Sequence, residues 1–201
     1  DGDAADSDDV DITAQRLNVQ AGGMGAVGAA LDLALSVLDA HLGASGAVLV
    51  EANALTVQRL DSEGDVALTT GGTADDHLDV VSLSAGGQAV TLSTQGQLRD
   101  ADPDGSDDLD IAAGTLSVDA VAVGAAGDGL ETSLDVLTVR ADGAVVVNEL
   151  SGLTITSITT QGGVTVQSQG DTTATSISAG EDVVLTVTGA DSDLSAGSIT
   201  A

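Results

Sequence analysis

Short apolar runs recur about every ten residues along this chain, and within each run apolar and polar positions alternate: AVLV (47–50), LTV (55–57), DVAL (65–68), VVSLS (80–84) and AVTLS (89–93). The second half keeps the rhythm with DVLTV (135–139), AVVV (144–147), LTITSI (153–158), GVTV (163–166) and VVLTV (183–187). Alternation with a period of two turns one set of side chains inward along a strand, and the Gly, Asp, Ser, Asn and Gln between the runs supply turns. Two strands and their turns make a unit of roughly twenty residues, the size of a β-helix coil. The pattern therefore predicts an all-β, right-handed parallel β-helix (a β-solenoid), its coils rising by ~4.8 Å to a rod roughly 45 Å long. The competing fold is a pair of tandem β-sandwich modules. One segment departs from the period: Leu31, Leu35, Leu38 and Leu42 have helical spacing, which predicts a turn or two of helix leading into a strand.

The pattern itself repeats. Residues 12–38 return 99 positions later as residues 111–137, with 12 identities in 27 positions, Leu17 with Leu116, Gly25 with Gly124 and Leu35 with Leu134 among them. Duplication on this scale marks a stacked-repeat protein. Two units follow, residues 1–99 and 100–201, with a continuous core expected through both.

Composition narrows the picture. Phe, Tyr, Trp and Cys are absent, so the core must be thin enough for aliphatic side chains alone to fill it, and disulfides and thiolate sites are excluded. Against 32 Asp and Glu stand four Arg, for a net charge of -28. A mean hydropathy of +0.27 nevertheless favours folding over disorder. Such a surface repels phosphate backbones and anionic headgroups, which argues against nucleic acid as a partner, and no apolar run reaches the ~18 residues of a membrane span. The opening DGDAADSDDVD reads as the cut edge of a longer polypeptide, so targeting information is expected outside it.

The strongest chemical signal is acidic. Residues 1–11 and 100–110 hold six Asp each, and five fall in register: Asp1 with Asp100, Asp3 with Asp102, Asp8 with Asp107, Asp9 with Asp108 and Asp11 with Asp110. Crowded like charges need water or a cation. In DADPDG (100–105) Asp alternates and Gly stands sixth, as at the start of many calcium loops, although Ile111 occupies the twelfth position where an EF-hand has Glu. Calcium is accordingly the expected ligand of Asp100, Asp102, Asp104, Asp107 and Asp108. The counterpart at Asp1, Asp3, Asp8 and Asp9 is expected to be weaker or absent, because Ala5 stands where the second copy has Asp104.

Catalysis is not expected. Adjacent acids in extended chain point to opposite faces, which does not suit glycoside cleavage, and nothing resembles a nucleophile elbow. His41 and His77 have no counterparts in the other copy and read as surface turn residues, while Arg16, Arg59, Arg99 and Arg140 are expected to pair with nearby acids.

In the combination G-x-x-x-x-x-L-[DE]-x-x-L-x-V-L, then GAV[LV]V, then LT[VI] leading to GDVAL or GGVTV, the chain resembles the β-helical repeats of giant bacterial surface proteins of the filamentous-haemagglutinin type. These elements are Gly25 to Leu38 with Gly46 to Leu68, and Gly124 to Leu137 with Gly143 to Val166. The resemblance implies a non-enzymatic, extracellular or cell-surface segment, a stiff acidic stalk of a giant adhesin or matrix filament. Its partners would be further copies of the repeat in the same chain, or other molecules stacked end to end. The second reading is a calcium-dependent adhesion module for a glycan or another cell-surface ligand.

Overall fold

The computed structural model describes residues 10–102 and 108–201. Its strands belong to one 20-stranded sheet in which each strand pairs in parallel with the strand one coil away. The chain winds as a right-handed parallel β-helix of about nine turns, and no helix occurs among the described residues. Paired sandwiches are excluded, since they are built from antiparallel sheets closed around separate cores. Here Ala89–Thr94 pairs with Val66–Thr70 on one side and with Ile111–Ala120 on the other, so the ladder runs straight through the join between the sequence copies.

The core is a set of aliphatic columns. Leu31, Leu49, Leu68, Leu92, Val118, Val139, Ile158, Ile177 and Ile199 stack in register, each one coil above the last. A second column runs Leu55, Leu78, Leu98, Val123, Val145, Val164 and Val183. One branched side chain per coil fills its share of the narrow cross-section, which is why the fold needs no aromatic residue. At roughly 25 cal/mol per Å² of apolar surface buried, each enclosed Leu or Ile contributes about 1.5–3 kcal/mol.

The helical turn expected within 28–42 does not form; Leu31–Ala34 and Val37–Leu42 are strands. Leu31, Leu35, Leu38 and Leu42 fit either period, because two short alternating runs meet at Ser36. The discriminating residues are Leu33 and Ala40, both fully buried and both off the helical stripe. Neighbouring coils offer ladder partners on each side of both strands, and those backbone hydrogen bonds decide in favour of the strand.

Between the two strand faces, Gly25 and Gly124 take positive φ values of 67° and 61° at matching places in the two copies. A β-carbon there would collide with the carbonyl oxygens of Val48 and Val146 respectively, so both the left-handed backbone and the close approach of the next coil require glycine. On the outside, Arg–Asp pairs join successive coils: Arg59 to Asp39 at 2.9 Å, Arg99 to Asp79 at 2.6 Å and Arg140 to Asp119 at 3.3 Å. His41 stands exposed on a strand rather than in a turn. His77 is half-buried and its Nδ1 accepts a hydrogen bond from the Gln97 N–H at 3.0 Å.

Candidate functional site

Where the columns turn polar, carboxylates stand inside the coil. The column Leu60, Leu83, Ile111 continues as Thr132, Glu149 and Ser168. Glu149 is buried and fully engaged: it accepts hydrogen bonds from the Leu134 N–H (3.1 and 3.2 Å), the Thr132 hydroxyl (2.8 Å) and the Ser151 N–H (2.9 Å). Glu51 does the same in the first copy, accepting from the N–H groups of Leu35 (2.9 and 3.1 Å) and Asn53 (3.2 Å). Both pKa values are raised by burial, and these hydrogen bonds offset only part of the rise. Leu35 lies between the strands Leu31–Ala34 and Val37–Leu42, whereas Leu134 lies within the strand Leu130–Ala141. These two acids are structural.

A second group is different. Asp100 ends the strand Gln97–Asp100 and stacks on Val80, which stacks on Val57, so it occupies an inward-facing position in a column whose other members, Val80, Val57, Leu38 and Leu17, are aliphatic. Asp110 immediately precedes the strand Ile111–Ala120, whose first residue is fully buried in the core. Asp110 is only 1% exposed. Its N–H donates to the Glu131 carbonyl at 3.0 Å, and its Oδ2 accepts the Glu131 N–H at 2.9 Å. Glu131, 4% exposed, sits one coil above, and its Oε1 accepts from the Asn148 Nδ2 at 2.6 Å. One carboxylate oxygen from each of Asp100, Asp110 and Glu131 lies within 4.8 Å of the other two.

The electrostatics of this trio are unfavourable as they stand. Desolvation, reinforced by the charges of Asp100 and Glu131, pushes Asp110 up to about 8 against the hydrogen bond from the Glu131 N–H. Glu131 and Asp100 are raised too, burial again being the main cause. Asp102 and Asp128 add negative charge around Asp100. Arg99, the cation next in sequence, points the other way along the strand and is held by Asp79.

Of the residues expected to bind calcium, Asp100 belongs to this trio. The half-buried Asp102 lends its N–H to Asp100 Oδ1 at 2.8 Å, and Asp108 is exposed. Asp1, Asp3, Asp8, Asp9, Asp104 and Asp107 lie outside the described residues. Asp110 and Glu131 were not expected as ligands. The signal for them was present in the duplication, since Asp11 and Asp32 stand 99 residues earlier. The backbone geometry is repeated there as well: Asp11 N–H donates to the Asp32 carbonyl at 2.9 Å, and Asp11 Oδ2 accepts the Asp32 N–H at 2.9 Å.

No known family model, curated protein or solved structure matches this chain.

Proposed function

We propose that the chain is a non-enzymatic structural segment, a stiff acidic stalk of an extracellular or cell-surface filament. The observation that carries this reading is the unbroken set of aliphatic columns and ladders through the join between the two sequence copies. A duplicated unit that adds coils in register lengthens a rod without adding a hinge, and length at constant stiffness is what a stalk requires. The dense outer carboxylates suit such a role, because like-charged rods repel one another sideways while remaining soluble. Resemblance to repeats of filamentous-haemagglutinin-type surface proteins supports the same reading.

Two measurements test it. Tandem copies of the chain imaged by negative-stain electron microscopy are expected as straight rods whose length grows in proportion to copy number; beads joined at flexible kinks would count against it. Antibodies raised to the chain are expected to label intact source cells, whereas labelling seen only after lysis would reject the surface assignment.

A further inference from the structure

We infer that Asp100, Asp110 and Glu131 form a calcium site that ties the end of the strand Gln97–Asp100 and the start of the strand Ile111–Ala120 to the next coil. The inference does not depend on the stalk reading. Its first support is geometric. Calcium holds oxygen ligands at about 2.3–2.6 Å, so ligands on opposite sides of the ion lie about 4.6–5.2 Å apart. The three carboxylate oxygens, all within 4.8 Å of one another, fit around one such ion.

The second support is an atom without a partner. Asp110 Oδ1 is buried and accepts no hydrogen bond, although the other oxygen of the same carboxylate is satisfied by the Glu131 N–H. Elsewhere inside the coil the acids are saturated: Glu51 and Glu149 have their oxygens taken by backbone and hydroxyl donors. A buried carboxylate oxygen left without a donor is unfavourable, and a coordinated cation removes that cost. Glu131 is already oriented by Asn148, as an outer partner fixes a metal ligand. Asp100 is half-buried, leaving a side through which water completes the coordination shell.

The placement explains what the ion would do. Asp100 ends the strand Gln97–Asp100 and Asp110 immediately precedes the strand Ile111–Ala120, so one ion on both fixes these two strand ends to each other. Glu131, twenty-one residues beyond Asp110, adds the bond to the coil above. The first copy carries acids at all three equivalent positions, Asp1, Asp11 and Asp32, but Val50 stands at the stacked position where Asn148 supports Glu131.

The competing solution is a proton shared within the trio, and calorimetry separates the two. Calcium chloride is titrated into the full chain, freed of metal with chelator, at physiological salt, alongside Asp110→Asn, Asp100→Asn and the remote surface variant Asp119→Asn. The expected result is saturable binding that weakens at least about tenfold in each of the first two variants, the loss seen even when only a supporting group of a metal site is removed. Asp119→Asn is expected to bind as the parent does. Far-UV circular dichroism checks each fold, and if Asp110→Asn does not fold, Asp100→Asn at its half-buried position carries the comparison. No saturable binding at about 10 mM calcium, above the weakest range of protein calcium sites, overturns the inference. Binding equally strong in both trio variants also overturns it, because the ion would then be held by surface acids elsewhere.

Discussion

At the scale of single residues, the inward-facing acids divide by how they are satisfied. Glu149 accepts from the Leu134 and Ser151 N–H groups and the Thr132 hydroxyl, so Glu149→Ala removes the acceptor of all three. That change is expected to destabilise the fold by about 2–4 kcal/mol, at the upper end for a group that leaves several buried donors unpaired; urea denaturation measures it. Asp110 leads to a prediction about pH. In the unfolded chain it titrates near 3.8, whereas in the fold burial holds it near 8. Between those values the native state keeps a proton that the unfolded state has released, so this group's contribution to stability is complete below the lower value and is lost as pH rises through the upper one. In chelator, the thermal midpoint of Asp110→Asn is therefore expected to move above that of the parent as pH goes from 5 to 8. A difference between the two that does not change with pH would show that Asp110 ionises normally.

At the scale of the element, each strand is short and owes its place to what stacks above and below it. Leu92 lies mid-column between Leu68 and Val118 and is 1% exposed. Leu92→Ala is expected to cost about 2–5 kcal/mol, because rigid ladders on both sides prevent the coil from collapsing into the cavity. The turns between strands are equally specific. Gly124→Ala forces a side chain into a left-handed backbone position and against the Val146 carbonyl. Chemical denaturation is expected to show a loss greater than the roughly 1 kcal/mol usual for a glycine-to-alanine conformational penalty, since a collision adds to it. The Leu31–Leu42 segment shows why sequence reading fails at this scale. Its leucines satisfy a helical and a strand period together, and the choice rests on Leu33, Ala40 and the ladder partners, which are residues from other coils.

At the scale of the whole molecule, charge and core oppose each other. A net charge of -28 on a slender rod disfavours compaction, and the Arg–Asp pairs made by Arg59, Arg99 and Arg140 offset little of it because they lie on the outer side of the coils. Raising sodium chloride from about 10 mM to about 300 mM shortens the screening length from roughly 30 Å to below 10 Å, and the thermal midpoint is expected to rise with it. A midpoint that falls with salt would mean that the ion pairs outweigh the net repulsion.

The coil architecture was written in the sequence because it depends on local quantities: a period of two, turn residues at regular intervals, aliphatic residues without aromatics, and a unit that recurs after 99 positions. Each of these is visible in a short window, and a solenoid is the fold in which short windows suffice, since every coil meets only its neighbours. The grouping of Asp100, Asp110 and Glu131 was not visible in that way. Asp100 and Asp110 come together from the end of one strand and the start of another, and Glu131 reaches them from the next coil through the stacking register. Burial, the property that distinguishes Asp110 and Glu131 from the acids around them, depends on atoms contributed by coils above and below, and only the folded molecule brings those atoms into place.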